Sequence, residues 1–223
     1  MSKYPAANGF ISRLVRGSAT IGGIEECNRL LAEYPGNPYV TRLLADFLKK
    51  ERSFFKASTR YRESYELFMA AGETLQALAA LLEQWEIVTP TPRDYRGLHA
   101  DLRRKNSHRS AISECFATMS YPELRSTISR LEKIRVGAEE VVQAAGESED
   151  ALYFVISGEL VRSSPEAGSD QTGEIKFLKA NDHFGDDHSF DKRGTTTYQV
   201  TAASAAELLK ISKDDFRVLC GEH

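Results

Sequence analysis

The chain has 223 residues, 41% of them hydrophobic and 27% charged, enough for one large domain or two ordinary ones with separate cores. Its net charge of −3 is unevenly spread: residues 1–129 carry 18 basic and 14 acidic side chains, and residues 130–223 carry 11 and 18. A weakly basic half followed by an acidic one excludes a concentrated phosphate-backbone footprint, so no nucleic acid is expected to bind through this chain alone. Cys27, Cys115 and Cys220 are widely spaced and form no CxxC, which argues against a disulfide framework or zinc site and fits a reducing, cytoplasmic setting. The opening MSKYPAANGFISRLVRGS lacks the apolar run of a signal peptide, and no stretch approaches the ~18 apolar residues of a membrane span, so no membrane insertion is expected.

From residue 20 to about 130 the apolar spacing is helical. Ile24, Cys27 and Leu31 line one face of a helix that YPGNP (34–38) stops. Asn37 then caps the next helix, with Pro38 at its first position. That helix runs through TRLLADFLKK, and another starts near residue 53 and runs through FFKASTRYRESYELFMAA. The pattern returns after 34 residues: Leu44, Ala45, Leu48, Tyr61, Ser64 and Phe68 fall on Leu78, Ala79, Leu82, Tyr95, Leu98 and Leu102. In the second copy Thr91 caps a helix beginning at Pro92, with Asp94 three residues on, close to a capping box. The single Trp85 is read as packing between helix pairs, and the basic run DLRRKNSHRS (101–110) as a solvated helix end and linker.

After Met119 the pattern changes. SYPELRSTISRLEKIRV gives a short helix capped by Ser120. Short β-type runs follow: LEKIRV, EEVVQAA, ALYFVIS, ELVRSS, EIKFLK, TYQVTAA and ELLKIS, separated by Gly, Pro, Asp and Ser, as in a small antiparallel barrel or jelly roll. VISGELVR is read as a hairpin turning at Ser157-Gly158. A last helix begins at Ser212.

Two resemblances follow from these residues. The 34-residue helix–turn–helix period, with Ala45 and Ala57 twelve apart, resembles the tetratricopeptide repeat. It departs from that pattern at Thr41, where the first-helix Trp belongs, and at Thr91, where Ala57 recurs; an ordinary helical bundle is the alternative. The segment from about 10 to 35 resembles the tail of a preceding repeat. Residues from about 115 to 220 resemble the cyclic-nucleotide-binding domain, the β-roll of catabolite activators, protein-kinase regulatory subunits and gated channels. The resemblance is carried in order by VGAEEVV, AGESEDALYFVISGEL, FLKANDHFGDD and VTAASAAELLKISKDDF. The expected fold is thus α+β, with a helical repeat domain over 1–106 and a β-roll with flanking helices over 107–223.

In that family a short cassette helix offers backbone N–H groups to the cyclic phosphate, an acid takes the ribose hydroxyl and an Arg pairs with the phosphate. The matching candidates here are Phe184, Gly185, Asp186, Arg193, Thr195, Thr196 and Thr197. Asp186 is one methylene shorter than the family's Glu. The Arg position falls on Thr196, or on Thr195 with the extra residue placed differently, and a neutral hydroxyl there forfeits a charge-assisted pair worth ~1.5–3 kcal/mol. Asp186, Asp187 and Asp191 repel an anion, while Lys192 and Arg193 reach it only if the loop refolds. No cofactor is assigned. If the pocket works as the resemblance implies, its ligand is cyclic AMP or cyclic GMP.

His183 and His188 lie among Asp186, Asp187 and Asp191 in sequence but show no ligand spacing; they are read as surface groups. No GxSxG, Walker or Rossmann pattern occurs, and no enzyme is expected. The residues up to LCGEH leave no room for a helix-turn-helix, so a one-chain transcription factor of the catabolite-activator kind is not expected. Two readings stay open: a signalling adaptor whose repeats dock a protein partner or a second copy of the chain while the β-roll senses or supports, and a pure interaction scaffold. A third is a regulatory fragment of a larger protein.

Overall fold

The computed structural model describes residues 8–104, 111–148, 150–164, 175–185 and 195–215. Contacts divide the chain into two units, Met1–Ile11 with Thr20–Arg125 and Ser12–Ala19 with Ser126–His223.

The first unit is built from α1 (Asn8–Val15, its first residues only), α2 (Ile24–Glu33), α3 (Pro38–Lys50), α4 (Phe54–Ala71), α5 (Thr74–Ile87), α6 (Pro92–Arg103), α7 (Ala111–Thr118) and most of α8 (Tyr121–Ile128). Local chemistry sets the boundaries. The Asn37 carboxamide oxygen accepts from the Tyr39 and Val40 amides at 3.1 Å, and Pro38 occupies the first helical position of α3. Gly72 ends α4 in the left-handed region at φ 79°. At the start of α6 the Asp94 carboxylate accepts from the Thr91 amide and hydroxyl at 2.7 and 2.6 Å. The helix α7 lies past the fading basic run, among the helices expected to flank the β-roll.

Most of the residues that recur in the sequence lie in the core of this unit, with Leu82 and Tyr95 half-buried. Leu44, Ala45, Tyr61, Ser64 and Phe68 are buried, as are Leu78, Ala79, Leu98 and Leu102. Fully buried Ala45, Ala57 and Ala79 let neighbouring helices approach closely, and tyrosines reach across. Tyr61 donates to Asp46, Tyr65 to Asp101 at 2.7 Å and Tyr39 to Glu73. The Tyr39–Glu73 bond and the 2.7 Å Lys49–Glu83 ion pair both join residues 34 apart, the period of the sequence pattern. Cys27 is wholly buried, and burial pushes its thiol up to about 11. Trp85 stacks at a tilt on Tyr95, ring centres 4.7 Å apart.

The second unit holds two four-stranded antiparallel sheets. One has the order β1 (Glu132–Val136), β8 (Ala206–Ser212), β3 (Ala151–Ser157), β6 (His183–Phe184). The other runs β2 (Val141–Gln143), β7 (Gln199–Ala202), β4 (Leu160–Ser163), β5 (Ile175–Leu178). Val136, Val155, Leu208, Leu160, Leu178 and Val200 belong to the hydrophobic core of this unit. Ser212 accepts from the Asp215 amide at 3.1 Å, capping the helical turn that starts at residue 213.

The hairpin expected at VISGELVR is not formed. β3 pairs with β8 and β6, whereas β4 pairs with β5 and β7, so Gly158 turns a corner between sheets. It sits at φ +90°, and a Cβ there would lie 2.5 Å from the Ala206 Cβ and 2.6 Å from the Ala205 oxygen. The two-residue strand β6 was also missed, being too short to carry a period.

Residues 12–19, expected to close a helical repeat, pack instead in the β unit. The Gly158 amide donates to the Val15 oxygen at 2.8 Å and the Ser204 hydroxyl to the Arg16 oxygen at 2.6 Å. Arg16 pairs with Glu159 at 3.7 Å. Gly17, at φ +70°, leaves no room for a Cβ, which would lie 2.2 Å from the Ala205 oxygen.

Candidate functional site

The inner face of the second sheet is set by register. Leu160 pairs with Ala202 and Leu178, an apolar row in the core. Two residues along, Arg162 pairs with Val200 and with Lys176, while Gln143 pairs with Val200 from the other side. Cross-strand partners share a face, so Gln143, Val200, Arg162 and Lys176 form a second row on the core-facing side, running from buried Gln143 and Val200 through half-buried Arg162 to exposed Lys176. The register shift between Val141 and Gln143 turns Gln143 inward together with Val142, which packs against the core.

Tyr198 lies on the same face, two residues before Val200, and is fully buried. The Arg162 guanidinium carbon stands 3.7 Å from its ring centre, a close cation–π contact. The Tyr198 hydroxyl accepts from the Gly185 amide at 3.2 Å. Gln143 is 6% exposed, and neither its amide nitrogen nor its carbonyl oxygen has a hydrogen-bond partner. An orphaned buried amide costs about 1–3 kcal/mol, a cost that a bound polar group removes.

The sequence candidates take different places. Phe184 is buried and stacks face to face on Tyr153, with ring centres 4.7 Å apart. Gly185, at φ +95°, leaves only 2.2 Å between a Cβ position and the Ala151 oxygen, so no larger residue fits. These two anchor the start of the loop through Tyr153, Ala151 and Tyr198. Thr196 is buried at 3% exposure, and its hydroxyl donates to the Ala144 oxygen at 2.7 Å. Its amide donates to the Glu147 oxygen at 2.9 Å, and its carbonyl accepts from Gly146 at 2.8 Å. Thr196 therefore clasps the 144–147 turn, a neutral hydroxyl engaged with backbone. Thr195, bridged to Ser148, and Thr197 are exposed. Asp186 and Arg193, with Asp187, His188, Asp191 and Lys192, lie outside the described residues, as do Cys220 and the basic run's residues 105–110.

Arg162, Lys176, Gln143 and Tyr198 were absent from the sequence candidates. The signal was present: in ELVRSS and EIKFLK a basic residue stands two positions from a leucine, and once that leucine faces the core, so does the base.

The helical unit carries a second concave feature, an open groove of about 700 Å³ on α4 and α5 lined in part by Phe54, Phe55, Arg62, Glu66, Ile87 and Val88. Phe55 is 87% exposed there. Among the described residues no three His, Cys, Asp or Glu come together as metal ligands, and no helix is long and apolar enough to cross a membrane.

Residues 133–223, less than half of the chain, match the family model of the cyclic nucleotide-binding domain. No curated protein matched the sequence. Solved structures similar to the chain include the sensor domain of the transcriptional regulator DNR from Pseudomonas aeruginosa, at 15% identity and TM-score 0.41, over 47% of this chain and 72% of that one. Another is the Thermus thermophilus catabolite activator protein, at 21% identity and TM-score 0.41, over 48% of this chain and 49% of that one. A third is the regulatory subunit of a cAMP-independent protein kinase A from Trypanosoma brucei, at 14% identity and TM-score 0.45, over 63% and 48%. The chain thus spans about half the length of the last two.

Proposed function

We propose that this chain is a non-catalytic regulatory protein whose cyclic nucleotide-binding domain takes a small ligand between its two sheets, and whose helical unit docks a protein. The observation that carries the first part is the buried, unpartnered Gln143 amide on the inner face of a domain matched to that family. A purely structural roll gains stability by replacing such a group with an apolar one; a ligand-binding roll keeps it. Cyclic AMP or cyclic GMP is the ligand class the family match supports.

The second part rests on the helical unit. Its 34-residue spacing of contacts supports a tetratricopeptide-like stack, which presents a groove and no reactive group. The exposed aromatic pair Phe54 and Phe55, rimmed by Arg62 and Glu66, suits an apolar peptide segment with polar flanks.

Titration calorimetry of the full chain with cyclic AMP and cyclic GMP tests the sensor reading. Saturable heat supports it, and none at millimolar nucleotide removes cyclic nucleotides as ligands. A pure scaffold is the second reading, favoured by Thr196, whose hydroxyl is engaged with the Ala144 carbonyl at the position where the family's phosphate-binding Arg belongs.

A further inference from the structure

We infer that the inward row Gln143, Arg162 and Lys176 is an oxyanion-recognition wall, taking over the charge that Thr196 does not supply. The inference rests on the reading that the space between the sheets is the ligand site, and it assigns which wall of that space holds the anion.

Three observations carry it. Arg162 and Lys176 are direct cross-strand partners on β4 and β5, so two positive charges stand side by side on one face. That face is the inner one, because Leu160 and Leu178, two residues along on the same strands, are buried in the core. The Arg162 guanidinium carbon stands over the Tyr198 ring, 3.7 Å from its centre. That cation–π contact holds the guanidinium on the face of the ring, and an Arg fork suits a carboxylate or phosphate because it offers two parallel, charge-assisted donors.

Gln143 adds the second half of the recognition. Its strand is separated from that of Arg162 only by β7, so the two side chains spring from backbones roughly 10 Å apart. Its amide offers one donor edge and one acceptor, both unmet. The wall therefore fits a ligand with an oxyanion at one end and a neutral donor–acceptor edge about a nucleotide's length away. A carboxamide pairs in this way with a purine edge. Val200 between them is an apolar floor.

The test uses the full chain and four probes, cyclic AMP, cyclic GMP, inorganic phosphate and citrate, with binding read by calorimetry and thermal shift. Three variants accompany the wild type: Arg162→Gln, Lys176→Gln and Gln143→Met. Lys176 is exposed on an edge strand, so its replacement leaves the fold intact. At least one probe is expected to bind, and each charge variant to weaken it about tenfold or more. Gln143→Met is expected to raise the melting temperature of the free protein and to weaken cyclic nucleotides while sparing phosphate and citrate. Preference for cyclic nucleotides or phosphate over citrate identifies a phosphate ester; the reverse identifies a carboxylate.

Cyclic-nucleotide binding that is unchanged in both charge variants overturns the wall and leaves the sensor reading standing. Phosphate or citrate binding that is lost in the charge variants, without cyclic-nucleotide binding, upholds the wall and removes that ligand class. An anion bound equally by wild type and both variants, or no probe bound at millimolar concentration, overturns the wall.

Discussion

Single residues decide how the two sheets of the β unit close. Gly158 stands where β3 leaves one sheet and β4 joins the other, with its amide on the Val15 oxygen and no room for a methyl group. Gly158→Ala combines a left-handed backbone with a clash against Ala205 and Ala206, and is expected to cost about 2–4 kcal/mol in chemical denaturation of the β unit. A loss under 1 kcal/mol would mean that the corner relaxes freely. Thr196 is a second such residue: its three bonds hold the 144–147 turn against the start of β7. Read in the sequence alone, it was a family Arg replaced by a weaker donor. In the structure its hydroxyl already has an acceptor, which no count of residues along the chain could reveal.

Elements in this chain were legible where their signals are local. The Asn37-Pro38 and Thr91-Pro92 pairs each start a helix because the side chain or backbone at the cap is satisfied within three residues. Asn37→Ala removes the acceptor of two amides at the head of α3 and is expected to cost about 1–2 kcal/mol of helical-unit stability. Trp85 is the sole tryptophan and lies in α5, so its fluorescence follows that transition. An unchanged midpoint would show that water replaces the cap without loss. The seven expected strands fall on β1–β5, β7 and β8 because short apolar and β-branched runs bounded by turn residues mark them. What failed was pairing. Ser157-Gly158 between two alternating runs reads as a hairpin turn, and nothing in those residues shows that the flanking strands belong to different sheets.

For the molecule as a whole, pH acts through carboxylates on opposite sides of their ordinary range. Burial is the largest influence on Glu73 and raises it, against the lowering effect of the Tyr39 hydroxyl. Native protein then binds this proton more tightly than the unfolded chain, so the contribution is full below the ordinary carboxylate value and is lost as pH rises through the raised one. Asp94 is lowered, first by the Thr91 hydroxyl and then by its amide, so its contribution is present above the ordinary value and lost as pH falls. Glu73→Gln keeps an acceptor for Tyr39 and removes the charge. It is expected to flatten the decline in stability just above the ordinary glutamate range, and to leave the acid limb in place, as read by denaturant midpoints followed through Trp85. A wild-type slope retained in the variant would assign the decline to another group.

The sequence by itself determined the class of each half, because caps, turns and periods of 2 and 3.6 are written in residues a few positions apart. It determined a 34-residue recurrence of mostly buried positions, and an order of motifs over about 115–220 that resembles the cyclic nucleotide-binding domain, whose family model matches residues 133–223. Tertiary structure alone decided which face each strand turns inward, that Arg162 lies on Tyr198 beside Lys176, and that Gln143 is buried without partners. The physical reason is that sheet pairing brings together groups dozens of residues apart: Gln143 opposite Val200, and Thr196 on Ala144.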